Sequence, residues 1–97
     1  MNKFNKKGYE KVEILKISSK SKAQKLAGAL SNIIRKEDTV EMQAVGAGAL
    51  NQGIKAVIIA KGYLAPSGID LVVCPSFVDI KIENQEKTAI KLLVTKK

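Results

Sequence analysis

Gln43-Ala44-Val45-Gly46-Ala47-Gly48-Ala49-Leu50-Asn51-Gln52-Gly53-Ile54-Lys55-Ala56-Val57 decides how this chain is read. A strand-like run ending at Val45 meets two glycines one residue apart. Apolar residues at helical spacing follow. This is a strand feeding a helix through a glycine-opened turn. Backbone N–H groups at a helix start lack intrahelical partners, and the helix dipole adds partial positive charge there. Such a mouth suits an anion, most often a phosphate.

The hydrophobic pattern continues on both sides of that unit. Val12-Glu13-Ile14-Leu15-Lys16-Ile17 reads as a first strand. Ser18-Ser19-Lys20-Ser21 breaks it and supplies hydroxyls, with Ser19 or Ser21 expected to cap a helix. Ala23, Leu26, Ala27, Leu30, Ile33 and Ile34 then recur at three- and four-residue steps. They line one face of a first helix and leave Lys22, Lys25 and Arg35 outside. Residues 39–45 form a second strand, and a second helix runs from about residue 49 to 61. Leu50, Ile54, Val57 and Ile58 are its main stripe, yet Ala49, Ala56, Ile59 and Ala60 leave little polar surface. A helix apolar on nearly all sides is expected to be covered twice, by its own sheet and by a further surface such as another subunit.

Gly62 is expected to end that helix, and Ala65-Pro66-Ser67-Gly68 to form a turn. Residues 69–74 are continuously apolar, which implies a strand that is central or covered on both faces. Cys74 is then a buried small hydrophobe, and Pro75 should bend or interrupt the strand. Phe77-Val78-Asp79-Ile80-Lys81-Ile82 resumes alternation, Glu83-Asn84-Gln85-Glu86 turns, and residues 88–94 form the last strand. These two runs make a hairpin with a projecting tip. The order is β-α-β-α-β-β. Both helices fall on one face of a mixed four-stranded sheet, giving a two-layer α/β sandwich. Glu13, Lys81 and Lys91 are expected on the other face. Residues 12–97 make one domain, and residues 1–11 read as a flexible basic extension.

The 97 residues carry 17 Lys and Arg against nine Asp and Glu, a net charge of +8. Eight of the lysines and only two of the acids fall within residues 1–25. A surplus placed this way favours polyanions such as DNA, RNA or an acidic membrane surface, with simple solubility as the plainer explanation. Enzyme classes fare worse. There is no histidine to act as general base, and one cysteine forms no internal disulfide and no ordinary zinc site. The third glycine of a dinucleotide fingerprint is replaced by Asn51, and no Gly-Lys-Ser/Thr loop occurs. Asp70, Asp79 and Glu83 show no paired spacing. A non-enzymatic protein without metal or cofactor is the expectation. No apolar run is long enough to cross a bilayer and the N-terminus lacks a signal-peptide core, so the cytoplasm is the expected location.

The candidate contacts follow from charge and position. Lys20 and Lys22 flank the start of the first helix. Gly46 and Gly48 open the second. Asn51 and Gln52 lie in its first turns, where they either bond a phosphate or base edge or solvate the helix. Lys81, Lys87 and Lys91 run along the hairpin, where they either reach a groove or protect a sheet edge. Aromatic residues are sparse (Phe4, Tyr9, Tyr63, Phe77). Phosphate contact along a duplex therefore fits better than base stacking.

Four stretches go further: Glu13-Ile14-Leu15-Lys16-Ile17-Ser18, Gln43 through Gln52 as quoted above, Ala65-Pro66-Ser67-Gly68-Ile69-Asp70-Leu71, and Glu86-Lys87-Thr88-Ala89-Ile90-Lys91-Leu92. Together they closely resemble the stage V sporulation protein S family over about residues 12–94. That family is similar to a bacterial branch of the Alba fold. The resemblance implies the same β-α-β-α-β-β order, self-association as a dimer or larger oligomer, and nucleic-acid binding in the regulation of sporulation and cell division. It places the binding surface at Lys20 and Lys22, at residues 46–52, and at Lys81 and Lys87. The loop before the second helix, basic in many chromatin relatives, is uncharged here. The competing reading is a protein-interaction scaffold without nucleic-acid binding. A third is a small anionic metabolite held at residues 46–51.

Overall fold

A computed structural model describes residues 12–97. The basic extension expected over residues 1–11 lies outside the described residues. The elements are β1 (Glu13–Ile17), α1 (Ala23–Lys36), β2 (Thr39–Ala44), α2 (Ala47–Leu64), a single 3-10 turn (Ala65–Ser67), β3 (Leu71–Ile82) and β4 (Gln85–Lys96). One mixed sheet has the strand order β1-β2-β4-β3. β1 pairs parallel with β2, and β4 pairs antiparallel with both β2 and β3. The two-layer α/β sandwich expected from the sequence is the observed architecture.

Alternation decides what each strand buries. Val40, Met42 and Ala44 of β2 pair with Val94, Leu92 and Ile90 of β4, and all share the face that carries the helices. Leu15 and Ile17 join from β1, Leu71 and Val73 from β3. From the helix layer, Ala27, Leu30 and Ile34 of α1 and Ala49, Ala56, Val57, Ala60 and Leu64 of α2 close the core. A fully buried Leu30 or Ile34 contributes about 1.5–3 kcal/mol through removal of its side chain from water.

Several expectations are corrected. Gly62 does not end α2. The helix runs through it to Leu64, and the Ala65 N–H still reaches the Lys61 carbonyl. Pro66 is what stops regular helix, and the chain closes with Gly68 in the left-handed region at φ 74°. β3 is neither central nor doubly covered: it is an edge strand. Cys74 is accordingly exposed, not buried. Pro75 does not interrupt β3, which pairs without a break from Leu71↔Lys96 to Ile82↔Gln85. An edge strand tolerates a missing donor because half of its N–H groups have no ladder partner. The faces also sort differently. Glu13 pairs with Val40 on the helix side, and Lys81 falls on the helix side by the alternation that buries Leu71. Lys91 alone of the three stands on the open face, paired with Gln43.

The hairpin turn is tighter than the sequence suggests. Glu83 and Asn84 both have positive φ, at 52° and 65°, and they alone connect the strands. Two left-handed residues in succession match the twist of the strands they join. The last β2–β4 pair is Ala44↔Ile90, so the ribbon beyond it extends past β2 by about 17 Å at the rise of a strand.

Candidate nucleic-acid interface

β1 and β2 are parallel, and their last residues, Ile17 and Ala44, are partners. Both connections to helices therefore leave from one end of the sheet. The hairpin projects from that same end. Parallel pairing thus gathers the three sequence-predicted regions at one pole of the molecule.

The serine connection is self-contained. The Ser18 N–H donates to Ser21 Oγ at 3.0 Å, and the Lys20 N–H donates to Ser18 Oγ at 3.1 Å. The Ser21 N–H donates to the Ser18 carbonyl at 3.0 Å. These serines tie the turn to itself and leave the helix uncapped, which corrects the expected role of Ser19 or Ser21. The N-cap of α1 is Lys22, with no side-chain cap and no acid in the first turn. The α2 start repeats this. Its N-cap, Gly46, sits at φ 92° and ψ 159°, a conformation open essentially to glycine alone, and again no side chain caps it. Two helix mouths with free N–H groups lie side by side, each an electropositive dipole end.

Their contact is close. A Cβ added to Gly48 would stand 2.9 Å from Ser19 Cβ. The Gln52 Nε2 donates to the Ser21 carbonyl at 2.5 Å, bridging α2 to the serine turn. Lys55 Nζ donates in turn to Gln52 Oε1 at 3.1 Å. Lys20, Lys22, Gly46, Gly48 and Asn51 are all exposed here. Residues 14–36 and 42–69 contain no Asp or Glu, so both halves of the mouth are free of acids in their own segments. Among the described residues, the ion pairs are Lys61–Asp70 at 3.3 Å and Lys96–Asp38 at 3.0 Å. Both lie at the opposite pole. There the Leu71 N–H, and after it Lys61, hold the Asp70 carboxyl below its ordinary value.

The hairpin lysines are not brought together. Lys81 points to the helix side of the ribbon and Lys87 to the other, by the alternation of an unbroken ladder. Lys81 is paired across the strands with Glu86, and Asp79 and Glu83 share the ribbon. Sequence reasoning also missed Ser19, whose closeness to Gly48 exists only in three dimensions, and the internal use of Gln52.

A second surface lies on the helix side. The helix layer covers Leu71 and Val73 of β3 but leaves Pro75 and Phe77 open, with Phe77 78% exposed. Pro75, Ser76, Phe77 and Ile90 line a shallow recess of about 220 Å³. On the outer side of α2, Ile54 and Ile58 lie one turn apart, Ile58 being 62% exposed. Among the described residues no cluster of three His, Cys, Asp or Glu side chains could hold a metal ion. No described helix is long and apolar enough to cross a membrane.

A small βαβαββ sandwich with two uncapped helix mouths and a projecting ribbon at one pole defines the class of protein. Residues 13–97 match the family model of Stage V sporulation protein S (SpoVS). The chain belongs to that family, which ties it to sporulation.

Proposed function

We propose that this protein is a non-enzymatic regulator that self-associates and binds nucleic acid by its phosphates at the paired helix mouths. One observation carries the reading: the serine turn bearing Lys20 and Lys22 abuts the glycine start of α2, with Ser21 bonded to Gln52. Free amides, two dipole ends and two ammonium groups then converge on one polyanion. Asn51 adds an exposed amide on the first turns of α2. Such contacts neutralise phosphates and are largely indifferent to base sequence. Lys81 extends the surface from the helix side of the ribbon, and Lys87 reaches only a strand that wraps around it.

The apolar stripe of Ile54 and Ile58, with Pro75 and Phe77 on the same side of the sheet, supports self-association. It equally favours the second reading, a scaffold that binds protein alone. Fluorescence anisotropy with short duplex DNA and duplex RNA over a range of salt separates the two. The proposal expects binding that weakens steeply with salt, and a shallower slope for the Lys20→Ala, Lys22→Ala double variant. Absence of binding at low salt, with assembly still seen by sedimentation, supports the scaffold and ends the nucleic-acid reading.

A further inference from the structure

We infer that Gln52 is a positioning residue: it clamps the serine turn to α2 and so fixes where Lys20 and Lys22 stand, without itself touching nucleic acid. The inference rests on the phosphate-binding reading above and replaces the direct contact expected of Gln52 from sequence. Both polar ends of its amide are engaged within the chain. Nε2 donates to the Ser21 carbonyl, and Oε1 accepts from Lys55 Nζ. A carbonyl only accepts and an ammonium only donates, so the two partners fix which way the amide faces.

Ser21 is the hub of the turn. Its hydroxyl takes the Ser18 N–H, its own N–H reaches the Ser18 carbonyl, and its carbonyl takes Gln52. Lys20 and Lys22 are its immediate neighbours in sequence. The close approach of Gly48 to Ser19 leaves no room for the turn to slide along α2. Gln52 therefore sets the separation between the two ammonium groups and the free amides of α2, and the whole receptor depends on that separation.

The test uses Gln52→Met, which keeps length and helix propensity and removes the amide. It is made alone and in the Lys20→Ala, Lys22→Ala background of the full chain. Amide exchange is read over residues 18–22, and anisotropy with a short labelled duplex is read at several salts. The expected result in the single variant is exchange at Lys20 and Ser21 faster by about five- to tenfold, the scale of one lost hydrogen bond. Affinity falls with a salt slope shallower by about one, as a lysine disengages. In the double-lysine background Gln52→Met adds no further loss, because the positioned groups are already gone. Unchanged exchange overturns the clamp. A full additional loss of affinity in that background also overturns it, since Gln52 would then touch the ligand directly. If the wild-type protein binds no duplex at low salt, the binding reading falls, and the exchange result alone still upholds or overturns the clamp.

Discussion

Replacing Gly48 with alanine is the sharpest perturbation of the paired mouths. The added Cβ would lie 2.9 Å from Ser19 Cβ and 3.7 Å from Ser19 Cα. Carbon atoms in ordinary contact stand about 3.5–4.0 Å apart, so the serine turn or the helix must give by roughly 0.6–1.1 Å. Ser19 Cβ is one bond from the backbone, and the turn is pinned by its own hydrogen bonds and by Gln52. Overpacking of this kind costs about 1–3 kcal/mol. Alanine recovers at most about 1 kcal/mol of helix propensity. The net loss is about 0–2 kcal/mol, which lowers Tm by up to about 15 °C in a domain of this size. Gly28 in α1 is the control, because nothing lies within 4 Å of an added Cβ there. Gly28→Ala is expected to raise Tm by about 2–6 °C from propensity alone. Circular dichroism melts at matched protein concentration, without nucleic acid, read both. A Tm for Gly48→Ala that rises alongside Gly28→Ala refutes the close contact of the two mouths.

Other expectations concern the core, the outer surface and the far pole. Ser31 is 1% exposed and its hydroxyl has no hydrogen-bond partner. Ser31→Ala removes that orphan and improves helix propensity, so stability to urea rises by about 1 kcal/mol. Ile58→Glu places a charge on the outer stripe of α2; the chain stays folded by circular dichroism, while sedimentation shows a shift toward monomer. At the opposite pole, the Leu71 N–H and, after it, Lys61 hold the folded-state pKa of Asp70 below the ordinary aspartate value. Its stabilising effect is therefore present at neutral pH and is lost as pH falls through the ordinary aspartate value toward the depressed one. Asp70→Asn lowers Tm at pH 7, and the difference from the wild type shrinks toward pH 3, a trend read by melts across that range.

Local periodicity made most of the architecture legible. Ala27, Leu30 and Ile34 announced the buried face of α1, and Val40 and Val94 the alternation of the sheet's centre. The failures cluster at one strand. Residues 69–74 look like a central strand, because an apolar run is the same whether a strand lies in the middle of a sheet or at its edge. Strand order depends on contacts far apart in sequence, and the β2–β4 pairing that pushed β3 to the edge has no local signature. Gly62 misled because glycine inside a helix costs little when tertiary packing holds the turns on either side.

The candidate site divides in the same way. Gly46 and Gly48 marked a helix start by composition, and Lys20 and Lys22 marked a charged turn. Their meeting was set by the parallel β1–β2 pairing, not by either segment alone. Gln52 looks like an outward-facing polar residue in the sequence because its partner lies 31 residues away. The hairpin lysines looked like one basic arm until alternation placed Lys81 and Lys87 on opposite sides of the ribbon.

A backbone-amide NMR titration with a short duplex tests the central claim most directly. Residues 19–22 and 46–51 are expected to shift together, with one apparent affinity that declines as salt is added, while the pole around Asp38 and Asp70 stays silent. Shifts confined to only one of the two mouths, or centred on the open face around Lys91, would contradict it.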